Sequence, residues 1–311
     1  MTEFKQTAIL GAGVIGASWA ALFLAAGKQV ALYDIATDAE KNVRSYIDTV
    51  WLSLEELGVV KNGSPDNINF CSSAASAVEG AEFVQENIPE RLQLKHALYA
   101  QIESALQPEA IVATSASGLT LTEMQKGWIK PNRFVLGHPF NPPHLIPLVE
   151  VMGNEYTDTA AVAGAERFYQ QIGKVTIRVN KEVPGHVANR LQAAVWREAI
   201  YLVKSGVASV EDVDKAMWAG PGLRWAVMGP TLLFHLGAGT GGLAEFCNRY
   251  TDSFNRWWDD LGNLHLDSEL AEQLVAGINQ STDGHSTDAL SKHRDALIVA
   301  IQKAMRPLRD G

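Results

Sequence analysis

Up to about residue 183, short apolar runs alternate with longer segments of helical rhythm; beyond it only the helical rhythm continues. Apolar runs at residues 7–10, 29–33, 68–71, 83–88, 110–117, 133–137, 146–151 and 174–179 have the length and continuity of buried strands. Between them, residues 17–26, 38–58, 89–106 and 160–172 carry helical patterns. The second of these places Val43, Tyr46, Ile47, Val50, Trp51, Leu54 and Leu57 on one face. Pro89 opens the third, with Glu90 in its first turn. Strands alternating with helices predict an α/β domain with a doubly wound parallel sheet. From Pro184-Gly185 onward helices are expected at 187–204, 209–219, from 231, at 268–278 and at 287–305, with no strand. The pattern therefore divides the chain into an α/β domain over residues 1–183 and an all-α domain over residues 184–311.

The first apolar run ends in Gly11-Ala-Gly13-Val14-Ile15-Gly16, a helix follows, and the second run ends in Asp34. Each part has a physical reason in a dinucleotide-binding turn. Gly11 permits a tight turn, Gly13 lets backbone approach a diphosphate, and Gly16 lets the helix pack close to the strand. The helix N-terminus offers unpaired N–H groups and the positive end of its dipole. Asp34 would accept hydrogen bonds from ribose hydroxyls and repel a 2′-phosphate. With no arginine in Ile35-Ala-Thr, NAD is expected over NADP.

A second chemical feature lies where the sixth run ends. His138 follows Gly137, Asn141-Pro-Pro then stops regular structure, and Glu150 sits in the next apolar run. If the proline-rich turn folds the chain back, imidazole and carboxylate meet. A carboxylate on one ring nitrogen fixes the tautomer and makes the other nitrogen a better base. Ser117 and His138 both fall at strand ends of the kind that carry ligands in such sheets.

Composition narrows the field. The chain has 311 residues, 47% of them apolar, and a net charge of −9, which argues against a nucleic-acid or anionic-membrane surface. The longest apolar run, residues 19–26, is too short to span a bilayer. Cys71 and Cys247 form no CxxC pair, so neither a disulfide framework nor a metal is expected, and a reducing, cytoplasmic setting fits. The N-terminus starts on a strand-like run, with no signal peptide expected. A redox-sensing transcription regulator would need a basic surface that this acidic chain lacks. A purely structural protein would have no use for His138 and Glu150.

Taken together, the glycine turn, Ser117-Gly-Leu, His138-Pro-Phe-Asn141-Pro, Glu150 and Pro184-Gly-His186-Val-Ala-Asn189-Arg resemble the 3-hydroxyacyl-CoA dehydrogenase superfamily over nearly the whole chain. The resemblance implies a Rossmann-like N-terminal domain, a helical C-terminal domain and a homodimer. It makes His138 the acid/base, Glu150 its orienting partner, and Ser117 and Asn189 the groups bonded to the reacting oxygen. It places Gly11, Gly13, Val14, Ile15, Gly16, Asp34, Glu90 and Lys95 around NAD. Within the superfamily, Trp196-Arg-Glu-Ala, Gly222-Leu-Arg224-Trp225, Met228-Gly-Pro and Lys292-His-Arg-Asp295 are similar to the lambda-crystallin/L-gulonate 3-dehydrogenase and L-carnitine dehydrogenase branch. His186 stands where phenylalanine is usual, and Ser115 where asparagine is. The expected reaction is NAD-linked oxidation of the 3-hydroxyl of a small free acid, with L-3-hydroxyacyl-CoA as the alternative substrate. Arg224 is the expected carboxylate anchor, since a guanidinium grips a carboxylate bidentately. Trp225, with Trp196 and Trp218, could hold a quaternary ammonium by cation–π contact. The acidic surface of residues 38–58 gives CoA phosphates no lysine cluster.

Overall fold

The computed structural model describes residues 4–309. Strand β1 (Gln6–Leu10) is buried from its second residue onward, as a strand covered on both faces must be. Helix α1 (Val14–Ala25) is buried from Gly16 to Ala25 and presents no solvent stripe. After β2 (Gln29–Tyr33), helix α2 (Ala39–Glu56) has the opposite character. Its Val43, Ile47, Val50 and Leu54 are buried at helical spacing while its charges face out. The chain continues through β3 (Ile68–Phe70), α3 (Ala74–Val78), β4 (Phe83–Glu86), α4 (Leu92–Ile102), β5 (Ile111–Thr114), α5 (Leu121–Gln125), β6 (Phe134–Pro139), β7 (Leu148–Met152), α6 (Thr159–Gln171) and β8 (Val175–Arg178).

These strands form one sheet in the order β3-β2-β1-β4-β5-β6-β7-β8. The first six run parallel, β7 pairs antiparallel with β6, and β8 follows β7 in parallel. The reversal at β7 follows from chain length: residues 140–147 can close a hairpin but cannot cross over, which needs a dozen residues or more. Strand order reverses between β1 and β4, which opens a crevice at the carboxyl ends of the strands. Gly11, Asn87, Ser117 and His138 all lie at such ends. Aromatic rings fill both faces of the sheet. Phe83 stacks on Phe168 with centroids 3.9 Å apart, and Tyr99 stacks on Trp128 at 4.7 Å.

The chain divides into two compact units, one of residues through 188 together with 294 onward, the other of residues 189–293. The expected split gave all of 184–311 to the helical domain. Instead the last turns of α13 (Thr287–Arg309) belong to the first unit. There Gln302 donates to the Leu145 carbonyl at 2.7 Å, Arg306 to the Leu57 carbonyl at 2.7 Å, and Lys303 pairs with Glu56 at 3.2 Å.

The second unit is built from α7 (Ala188–Lys204), α8 (Val210–Ala219), α9 (Pro221–Trp225), α10 (Pro230–Gly237), α11 (Gly242–Asp260), α12 (Ser268–Ser281) and the start of α13. No strand occurs among its described residues. The expected loop at 220–230 contains the short α9, which carries Arg224 and Trp225. The expected helix from 231 is two, because Gly239 and Gly242 take positive φ and break it. Phe234, Phe246 and Phe254 pack between α10 and α11.

Candidate active site

The glycine turn after β1 is sterically determined. Gly11 has φ +89°, and a Cβ there would stand 2.8 Å from the Asn87 carbonyl carbon. A Cβ on Gly16 would stand 1.9 Å from the Gly11 carbonyl oxygen. Gly13, by contrast, faces open space, with nothing within 4 Å of a Cβ. It begins α1 without any side-chain cap, so the first-turn N–H groups at Val14 and Ile15 are left for a ligand. Asp34 at the end of β2 accepts the Ala12 N–H at 2.5 Å and the Ala36 N–H at 2.8 Å, which fixes its carboxylate at the turn. An open glycine, an uncapped helix start and a fixed carboxylate fit the diphosphate and ribose of a dinucleotide.

Across the sheet, His138 on β6 and Glu150 on β7 are register partners. Cross-strand partners share a face, so their side chains meet. His138 Nδ1 lies 2.8 Å from Glu150 Oε2. A carboxylate can only accept, so Nδ1 carries the hydrogen and Nε2 is left free as the base. Glu150 is fully buried. Its other oxygen, Oε1, accepts the N–H groups of Val187 and Ala188, each at 2.9 Å. Burial alone would raise its pKa. The bonds from His138, Ala188 and Val187 outweigh that and hold it below the ordinary carboxylate range. One carboxylate thus orients the imidazole and pairs the N–H groups at the start of α7.

Ser117 follows β5, and its backbone N–H and hydroxyl both donate to Glu90 Oε1, the hydroxyl at 3.1 Å. Gly118 N–H donates to the same carboxylate at 3.1 Å. Burial opposes the charge on Glu90, but these bonds and the Lys95 charge bring its pKa below the usual value. Glu90 lies ahead of α4, whose N-cap is Arg91, and not in the helix's first turn as the sequence pattern suggested. Lys95, expected beside the cofactor, is turned into the protein. Its Nζ donates to both Glu86 oxygens at 2.7 Å and to the Ile88 carbonyl at 3.3 Å. Tyr99, Thr114 and the Ile88 N–H complete the Glu86 shell at 3.1, 2.7 and 2.8 Å. Ser115 joins a separate, partly buried group, donating to Asn87 Oδ1 at 2.7 Å and accepting from Gln85 and Trp19 at 2.9 and 3.2 Å.

Two features were not singled out in the sequence. Buried Lys174 donates to the Pro143 and Ile146 carbonyls and lies 5.0 Å over the Trp19 ring, so it ties down the turn that follows His138. Desolvation lowers its pKa to about 7. Buried His144, in the same turn, pairs its Nδ1 with Ser18 Oγ at 2.9 Å and the Tyr46 hydroxyl at 3.2 Å. Nothing in the local pattern marks either residue, because their partners come from α1, α2 and the turn itself. His186, noted in the sequence as a departure, is buried with φ +49°, its ring 5.3 Å from that of His138. Asn189 is the first residue of the second unit, half-buried in the first turn of α7. Arg224 is exposed in α9, with Trp225 next to it 38% exposed. Trp196 and Trp218 are also exposed. Among the described residues no group of His, Cys, Asp and Glu could hold a metal, and no helix is long and apolar enough to cross a membrane.

Comparison with known proteins gives this geometry a context. Residues 6–183 match the 3-hydroxyacyl-CoA dehydrogenase NAD-binding domain, and residues 185–272 match the C-terminal domain of the same family. The L-carnitine dehydrogenase of Streptomyces coelicolor is 46% identical over 300 residues, covering 96% of this chain and 94% of its own. That of Pseudomonas putida is 38% identical, covering 98% and 95%. Among solved structures, the 5-formyl-3-hydroxy-2-methylpyridine 4-carboxylic acid 5-dehydrogenase, described as an NAD+-dependent dismutase, matches with a TM-score of 0.85 and 30% identity over 97% of this chain and 99% of that one.

Proposed function

This chain belongs to the 3-hydroxyacyl-CoA dehydrogenase family and is an NAD-dependent dehydrogenase of a secondary alcohol, and from that premise we propose that it oxidises the 3-hydroxyl of L-carnitine to the 3-oxo acid. The observation that carries the substrate is the 46% identity, across 96% of the chain, to an L-carnitine dehydrogenase. NAD, when bound, supplies the acceptor for the hydride that leaves the carbinol carbon. The hydroxyl proton passes to the free Nε2 of His138, while Glu150 holds the ring and balances the charge it gains. The Ser117 hydroxyl and the Asn189 amide are the proposed partners of the reacting oxygen. Glu90, Asp34 and the N–H groups of Val14 and Ile15 are the proposed cofactor contacts, with Lys95 acting through Glu86 and the end of β4.

Arg224 is the proposed carboxylate anchor and Trp225 the proposed neighbour of the trimethylammonium group. A cation over an aromatic face contributes about 0.5–2 kcal/mol. The outer face of α2 bears Asp48 and Glu55 beside the paired Glu40 and Glu56, and it offers CoA phosphates no lysine cluster. A homodimer is proposed through the second unit, where Trp218, Leu223, Val227, Leu236, Trp257 and Trp258 are more than half exposed. A cytoplasmic location is proposed with it.

The test is NADH formation with L-carnitine, L-gulonate, L-3-hydroxybutyrate and a 3-hydroxybutyryl-CoA thioester. L-carnitine should give the highest kcat/KM, and Arg224→Met should raise its KM while leaving kcat little changed. A higher kcat/KM for L-gulonate or for the thioester would replace the carnitine assignment.

A further inference from the structure

His186 is a buried titratable group that the reaction above leaves unused. It is 4% exposed, and neither ring nitrogen has a hydrogen-bond partner of ordinary geometry, although the Ala116 backbone lies close to the ring. Burying a polar ring unpaired is unfavourable, and native interiors rarely do so. An apolar ring of the same shape would fill the space without that cost. The backbone at the site is unfavourable as well. Gly185 and His186 take successive positive φ values of +75° and +49°, a conformation that a residue with a Cβ rarely adopts. The chain just beyond is fixed, because Val187 and Ala188 donate to Glu150 Oε1, the carboxylate whose other oxygen holds His138. One side chain thus positions both imidazoles. Their centroids are 5.3 Å apart with planes at 54°. Two hydrogen bonds of about 2.8 Å to one shared oxygen, one from each ring, span such a separation.

We propose that His186 is a further catalytic residue, donating a hydrogen bond from its ring to the same substrate oxygen whose proton His138 removes. Burial, and then the neighbouring His138, lower its pKa. The opposing influences of Glu150, the Ala116 backbone and Glu90 do not reverse this. The ring therefore stays neutral at pH 7, with one N–H to give. In the oxidation the O–H bond breaks and its proton moves to His138 Nε2. With NAD bound, the C–H electron pair would leave with its hydrogen to the cofactor, and the C–O bond would become C=O. His186 transfers no proton. Its N–H stabilises the oxygen as negative charge develops there, which favours the transition state over the bound alcohol. A neutral imidazole serves this purpose without competing for the proton.

The identity of the alcohol rests on the function proposed above; the role of His186 does not. The experiment therefore uses whichever 3-hydroxy acid in the panel gives the highest kcat/KM. His186→Phe keeps ring shape and removes both nitrogens, and His186→Asn restores one N–H donor. For His186→Phe, kcat should fall by about 10²–10³-fold with KM within about threefold. NADH affinity should be unchanged, and the Tm without ligands should equal or exceed that of the wild type. His186→Asn should recover part of kcat. Three outcomes would overturn the proposal. The first is a kcat within about threefold of wild type for both variants. The second is a loss confined to KM for the acid and absent for its neutral amide, which would place the ring on the carboxylate. The third is a joint fall of Tm and NADH affinity in both variants, which would make the ring structural. If only L-carnitine fails as a substrate, the function is reassigned while His186 is still measured.

Discussion

Glu150 and His138 differ in how much work each side chain does beyond the proton transfer. His138→Gln removes the base, so kcat should drop by ~10²–10⁴-fold with NADH binding intact; steady-state kinetics and a fluorescence titration of NADH check this. Glu150→Gln should lower kcat as well. It should also lower Tm, because a neutral amide oxygen accepts more weakly from the Val187 and Ala188 N–H groups. The pairing of His138 with Glu150 is legible in the sequence, since Asn141-Pro-Pro can only be a turn and an apolar run resumes beyond it. The second task of Glu150 is not, because its partners are backbone N–H groups that leave no trace in side-chain identity. The same holds for His144, whose hydroxyl partners lie on α1 and α2. Burial first of all lowers its pKa to about 4, with Asp295 acting against the shift and Lys174 and Arg294 reinforcing it. The unfolded chain then binds a proton between pH 6.5 and 4 that the folded chain refuses. Its contribution is complete above pH 6.5 and is lost as pH falls toward 4, for a total of about 3 kcal/mol. Denaturant midpoints measured between pH 7.5 and 4.5 should therefore fall less steeply in His144→Gln than in the wild type.

Elements constrain the cofactor turn in two separable ways. Gly16 is needed by the protein, since a Cβ there would overlap the Gly11 carbonyl at 1.9 Å. Gly13 is needed by the ligand, since a Cβ there meets nothing in the protein. Gly16→Ala should lower both Tm and NADH affinity. Gly13→Ala, with φ already at −61°, should keep its Tm and lose at least about tenfold in NADH affinity by crowding the diphosphate. Differential scanning calorimetry with a binding titration separates the two, and a joint loss for Gly13→Ala would mean that its space is structural. Strand and helix alternation made most of the first unit readable. The departures cluster where short elements overrule the pattern. Pro89 and Glu90 read as a helix start, yet Glu90 is held out of α4 by the N–H groups of Ser117 and Gly118. The one-turn α9 and the break between α10 and α11 lie in stretches rich in glycine and proline, where periodicity has too few residues to register.

At the scale of the molecule, the sequence marks where the sheet ends but not where the last helix goes. Residues 294–309 count with the first unit because Gln302 and Arg306 find carbonyls on Leu145 and Leu57, partners separated from them by half the chain or more. Periodicity reports which face of a helix is apolar and is silent on what covers it. The division at 188 has a further consequence. The residues next to it, Val187 and Ala188, donate to the carboxylate that also holds His138. Their amide resonances should therefore act as internal indicators. When His138→Gln takes the imidazole off one carboxylate oxygen, the electron density on Glu150 changes, and both amide shifts should move together. On a Glu150→Gln background the same change at His138 should move the two amides far less. The contact that orients the base can then be read from backbone nuclei, in the resting protein and without turnover.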